Sequence, residues 1–201
     1  MRVGAIVEAP LDLLRPTQMA VGMRSVERKL QKIEKRADKP KKIEKVLQHR
    51  PIPAVYGPGG GLFIVDHHHF GMALTLAEIE SAYVRIIADA SDVSRAAFWR
   101  HMEADGRLHL YDERGQRVPP SLLPETLGDL RHDPFRDLAW DVREADGFFK
   151  VAEPYAEFRW ANFFRSRIPS SIIRHDPKSA LRTALKLCRS REAARLPGYA
   201  N

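Results

Sequence analysis

The chain has 201 residues, 44% of them hydrophobic and 29% charged, which is enough apolar matter for one domain of ordinary size with a real core. Its single cysteine, Cys188, excludes an intrachain disulfide and any multi-cysteine zinc centre; with no basic-then-apolar leader and no long apolar run, a soluble, cytoplasmic protein with no membrane partner is expected. The net charge of +7 is uneven: residues 1–50 carry 13 basic and 6 acidic groups, residues 51–164 carry 11 and 18, and residues 165–201 carry 9 and 2. Basic ends thus flank an acidic middle, and either they pair with it or they form a positive surface for phosphates.

Val3–Ala9 is apolar and partly β-branched and reads as a first strand closed by Pro10. In Leu14-Arg15-Pro16-Thr17-Gln18, Pro16 favours extended backbone at Arg15, so this segment is a strand exit that projects Thr17 and Gln18. Met23, Val26, Leu30, Ile33 and Ala37 recur three and four apart, the signature of an amphipathic helix with Arg28, Lys29, Lys32, Lys35 and Arg36 towards water. Pro40 interrupts it, and a second short helix with Ile43, Val46 and Leu47 on one face follows.

Ile52–Tyr56 and Leu62–Val65, joined by Gly57-Pro58-Gly59-Gly60-Gly61, read as a hairpin. Its second strand delivers Asp66 and three histidines to a helix predicted over Gly71–Glu80. Tyr83–Asp89 reads as a buried strand, Ser94–Ala104 as a helix and Arg107–Tyr111 as an extended arm. Pro134, capped by Asp133, suits the first turn of a helix through Glu144. Residues 148–164 hold five of the nine phenylalanines with Tyr155 and Trp160, too many rings for a solvated linker; they fill a core or, alternatively, form a homodimer face. Lys178–Ala194 reads as an amphipathic helix whose Leu181, Ala184, Leu185 and Cys188 share one face.

The chemistry concentrates at Asp66-His67-His68-His69. Consecutive helical positions point about 100° apart, so the three imidazoles cannot converge on one ion. Two of them with Asp66 as a carboxylate ligand is one reading; the other sends one histidine to solvent, one to the core and one to the substrate. Asp66 itself reads either as a helix cap or as a general base or magnesium ligand beside a phosphate. His68 or His69 could donate to a phosphate oxygen or act as an acid. The glycine cluster reads as a hairpin turn, because no Lys-Ser or Lys-Thr follows it as a phosphate loop requires.

Leu14–Gln18 and Ile64-Val65-Asp66-His67-His68-His69 resemble the ParB/sulfiredoxin superfamily in its ParB-like nuclease branch, the second segment being similar to a Val-Asp-Gly-His-His-Arg box. Asp133–Trp140 and Ala156–Ala161 resemble that branch too, so the likeness spans roughly residues 1–165. It implies an α+β fold, a small mixed sheet with surrounding helices, and a nucleotide such as ATP or CTP, with Mg2+, held where the box opens a helix. By position, Asp66 matches the acidic residue of the box and His69 its phosphate-facing histidine. His68 stands where sulfiredoxins have cysteine, which argues against their chemistry. Phe70 replaces the box arginine, and Gln18 stands where the serine kinases of the superfamily carry glutamate.

The resulting expectation is an α+β phosphate-binding domain over 1–130 and a helical C-terminal extension over 131–201. Asp66, His68 and His69 are the catalytic candidates, with Arg15, Thr17, Gln18 and His67 contacting substrate; cleavage of a phosphoester or phosphoanhydride is the reaction type. The competing expectation is a DNA-binding, partition-like adaptor that uses the basic faces at Arg28–Lys45 and Lys178–Arg191.

Overall fold

The computed structural model describes residues 1–153 and 155–200. They gather into two compact units, one made of residues 1–21, 26–112 and 117–131, the other of residues 22–25, 113–116 and those from 132 onward.

In the first unit the strands are β1 (Ile6–Pro10), β2 (Leu14–Pro16), the two-residue β3 (Ala20–Val21), β4 (Ile52–Tyr56), β5 (Leu62–Ile64) and β6 (Ser81–Asp89). Five of them form a mixed sheet in the order β1-β6-β4-β5-β2, antiparallel at β1/β6 and β4/β5 and parallel at β6/β4 and β5/β2. β3 pairs separately with β7 (Arg131–His132), where the Arg131 N–H donates to the Met19 carbonyl. Alternation in β6 sends Ala82, Val84 and Ile86 into the core, while Arg85 faces water. The β4–β5 hairpin forms as the sequence predicts, its turn passing through Gly59 at φ 71°, a left-handed conformation that glycine adopts without steric penalty. The sequence reading of a small mixed sheet with surrounding helices is therefore the observed fold.

The helices lying wholly or mostly in this unit are α1 (Met23–Glu34), α2 (Pro40–His49), α3 (His68–Leu76) and α4 (Arg95–Ala104). Pro40 starts α2 at its first turn, where a missing N–H costs nothing, rather than merely interrupting α1. The box helix α3 begins three residues earlier than predicted and ends before Glu78, whose φ of 55° takes the chain out of helical geometry. Phe70, Gly71, Met72, Ala73 and Leu74 are all buried, so the middle of α3 is enclosed, while His69 at its start is half-buried and Leu76 at its end is exposed. β1 starts at Ile6 and not Val3, because Gly4 turns the chain at φ 87°. Arg107–Tyr111 makes only isolated bridges, Gln18 with His109 and Tyr111 with Arg117.

The second unit is helical: α5 (Pro134–Glu144), α6 (Ala156–Arg165), α7 (Ser170–His175) and α8 (Pro177–Cys188). Asp133 caps α5 by accepting the Phe135 N–H at 2.9 Å, as the sequence predicts. The aromatic segment fills the core of this unit. Trp160 and Phe164 are fully buried, and Phe148 stacks on Trp160 with ring centroids 4.4 Å apart; Phe149, 63% exposed, is the exception. α8 stops at Cys188, short of the predicted Ala194, and Arg191–Arg195 continues as a 3-10 turn. Burial pushes the Cys188 thiol up to about 12, so it is an inert packing group.

The Asp133–Trp140 and Ala156–Ala161 segments meet in a buried ionic network. Arg136 lies over the Phe158 ring at 3.5 Å and 3.7 Å from Glu157, which also pairs with Arg143, while Arg165 pairs with Asp133. Arg136 is 6% exposed, and burial lowers its guanidinium to about 10, against the pull of Asp133 and Asp137.

Candidate phosphate-binding site

Parallel pairing of β2 with β5 sets Pro16 opposite Ile64, so Thr17 and Asp66 leave the sheet at the same end. There His67 turns the chain in a left-handed conformation, φ 64°, and serves as the residue preceding α3. The box glycine of the superfamily corresponds to this position, so an imidazole stands where the fold asks for positive φ. The His67 carbonyl accepts the N–H groups of Phe70 and Gly71, both at 2.8 Å.

Asp66 points into water, its side chain 75% exposed. One oxygen accepts the His67 N–H at 2.6 Å and the other lies 4.0 Å from His67 Nε2. Burial pushes the His67 imidazole below its ordinary value of 6.5; Asp66 opposes this, while Arg50 and Lys29 add to it. Two cations therefore disfavour the imidazolium here, and an arriving anion would offset both. Its Nδ1 is buried without a hydrogen-bond partner.

The other predicted residues divide sharply. His68 is 4% exposed, and its Nε2 accepts the Thr17 N–H at 3.1 Å. Thr17, 2% exposed, donates its hydroxyl to the Ile64 carbonyl at 2.8 Å, and Gln18, 7% exposed, donates to the Ala20 carbonyl at 2.8 Å. Thr17 and His68 tie the end of β2 to β5 and α3, while Gln18 bonds back within its own segment, so these side chains bond the fold instead of projecting towards substrate. The expected projection of Thr17 and Gln18 is not observed: β2 is the edge strand of the sheet, but the chain beyond it stays buried, and both side chains turn inward to bond backbone carbonyls. Arg15 donates to the Glu125 carbonyl. His69 is half-buried on the first turn of α3. Asp66, His67 and His69 thus occupy the accessible corner, and His68, Thr17 and Gln18 lie beneath it.

Sequence reasoning missed what lies beside this corner. Between α1, α2 and α3 is a pocket of about 200 Å³ with a rim of Lys29, Lys32, Arg36 and Arg50. Ile33, Leu47, Phe70 and Leu74 form its floor, Ile43 and Val46 its walls, and no carboxylate lines it. Arg50 reaches over the Phe70 ring at 5.2 Å. Arg50, which follows α2, thus brings a guanidinium beside Phe70. The spacing of Lys29, Lys32, Ile33 and Arg36 on one helical face was a readable signal, but the position of Arg50 was not.

Among the described residues no three histidine, cysteine, aspartate or glutamate side chains come together as a metal cage. A single exposed carboxylate beside a cationic pocket does fit Mg2+ of the kind that arrives with a nucleotide, since magnesium commonly takes one or two protein carboxylates and completes its shell with phosphates and water. No helix of the described residues is long and apolar enough to cross a membrane.

Residues 7–166 match the family model described as "Putative ParB-like nuclease". Protein Atu1540 from Agrobacterium tumefaciens, known from its crystal structure, matches with a TM-score of 0.89 at 34% identity, over 98% of this chain and 98% of its own. No curated protein matches. With most of its length inside the family model and its box at the strand-to-helix corner, the chain belongs to the ParB-like nuclease family.

Proposed function

We propose that the chain binds a phosphate-bearing ligand, a nucleotide or a nucleic-acid phosphate, at the corner formed by Asp66, His67 and His69 and the adjoining pocket. One observation carries this reading: four cationic side chains surround a pocket without a lining carboxylate, and two of them act electrostatically on the box histidine. Such a rim presents a positive field into the pocket and attracts an anion. Asp66 would hold Mg2+ with the ligand, and His67 and His69 would contact phosphate oxygens. If the bound bond is cleaved, the assistance is positional and electrostatic: cations gather the charge that develops on the phosphoryl oxygens, and Asp66 faces the solvent from which a water attacks. His68, which already accepts a backbone N–H, supports the corner and does not transfer protons.

A second reading draws on the outer faces of α1 and α2, where Lys32, Lys35, Lys41, Lys42 and Lys45 are exposed. This row suits sequence-independent contact with a DNA backbone, with affinity that falls steeply with salt. Thermal shift with ATP, CTP and a short DNA duplex, each with and without Mg2+, tests the proposal. A ligand at about 100 times its dissociation constant stabilises by roughly 2.7 kcal/mol. The expected result is a shift that Lys29→Glu/Arg50→Glu abolishes and whose magnesium-dependent part Asp66→Asn removes. No shift with any ligand, or shifts unchanged by those substitutions, overturns it; a duplex shift abolished only by Lys41→Glu/Lys45→Glu establishes the second reading.

A further inference from the structure

The pocket is not an evenly charged trough. Its floor is apolar and well buried: Leu74 is 0% exposed, Phe70 3%, Leu47 6% and Ile33 8%. Its walls, Ile43 and Val46, are half-buried residues of α2 that face it without filling it. Every charge lies on the rim. A ligand that were only phosphate would satisfy the rim and leave this floor to water, whereas an extended duplex presents its phosphates outward on a surface too wide to enter about 200 Å³ between three helices.

We propose that this pocket selects a small amphipathic anion, a phosphomonoester or similar head group joined to a ring or short apolar body. The inference rests on the phosphate reading above and adds what the rest of the ligand must be. The body lies on Phe70, Leu74 and Leu47, with Ile43 and Val46 closing on it; Arg50 grips the head group, steadied by the Phe70 ring beneath it. Lys29 and Arg36 complete the anion contacts from α1. Phe70 serves both parts, since an arginine at that position would put charge on the floor. With phenylalanine at position 70 and a guanidinium supplied from just beyond α2, an apolar floor and an anion contact lie side by side. Arg50 is accordingly the specificity-determining residue for the anion, and Ile43 and Val46 for the body.

Isothermal titration with three probes decides the matter: 1-naphthyl phosphate, glycerol phosphate and a short DNA duplex, on the parent chain, Arg50→Gln and Ile43→Gln/Val46→Gln. The two wall residues are half-exposed and their polar variants keep the helix, so loss of fold does not obscure the result. Naphthyl phosphate is expected to bind the parent at least about tenfold more tightly than glycerol phosphate, the return on burying roughly two methylenes of apolar surface. The wall variant should lose that preference and keep its affinity for glycerol phosphate; Arg50→Gln should weaken both. Equal affinity for the two small phosphates, or a preference that survives the wall variant, overturns the amphipathic assignment and leaves the phosphate reading standing. Binding of the duplex with neither small phosphate also overturns it, in favour of the nucleic-acid form of that reading. Binding of none of the three overturns both.

Discussion

Replacing His68 separates a supporting histidine from a catalytic one. The ring is 4% exposed and accepts the buried Thr17 N–H at 3.1 Å, and the Thr17 hydroxyl in turn holds the Ile64 carbonyl. In His68→Ala the Thr17 N–H is left without an acceptor, at about 1–3 kcal/mol, and the space of a ring opens beside a packed helix. Together these are worth about 3 kcal/mol, a large share of the roughly 5–15 kcal/mol that holds most domains folded. For a chain of this length the expected fall in Tm is roughly 6–12 °C. His68→Gln places a carbonyl oxygen near the position of Nε2, restores the acceptor, and should recover at least about 1 kcal/mol of the loss. Urea denaturation of the three proteins measures this. An alanine variant within about 0.5 kcal/mol of the parent, or a glutamine variant no better than alanine, refutes the assignment of His68 to the fold.

Three further outcomes are expected. Burial and two cations hold His67 below its ordinary 6.5, so the unfolded chain takes up the proton first; stability should fall as pH drops through 6.5 towards the folded-state value. The difference between parent and His67→Gln in pH-dependent denaturation reads this, and a bound phosphate should reverse it by favouring the imidazolium; pH curves that superimpose would dismiss the electrostatic picture of the corner. Gly22→Ala should cost about 1–3 kcal/mol, since a Cβ there would lie 2.7 Å from the Asp137 carboxylate oxygen that accepts the Arg24 N–H, and a neutral result by calorimetry would contradict that packing. Arg136→Ala should destabilise by about 3 kcal/mol, but Arg136→Met by about 1, because both remove the buried charge with its unpartnered Nε and Nη1 donors, while only methionine keeps a side chain packed on Phe158. Equal losses in chemical denaturation would show the charge itself to be the stabilising part.

Local pattern carried a good deal of this. The hairpin, β6, the Asp133 cap and the packing of the aromatic segment all follow from alternation, turn residues and side-chain chemistry within a few residues of one another. The corner was legible in place but not in depth. Whether Thr17 and Gln18 face a ligand or the core depends on β2 pairing in parallel with a strand about fifty residues away, and parallel pairing leaves no hairpin turn to read. His68 and His69 differ only in which side of one helical turn each occupies, and that is fixed by where α3 starts. Starting α3 at Gly71 would have hidden the distinction. Arg50 follows a helix and precedes a proline, with nothing nearby to connect it with Phe70; its role exists only in three dimensions.

The left-handed turn at His67 has an experimental use. A non-glycine residue at that φ carries a conformational debt of about 1–2 kcal/mol, of which glycine would return part while giving back roughly 0.5–1 kcal/mol in unfolded-chain freedom. His67→Gly should therefore fold at least as readily as the parent while presenting no ring to an incoming anion. The relief of the turn thus offsets the edge-on contact with Phe70 that the ring gives up, and recognition can be deleted at the residue where the box begins its helix.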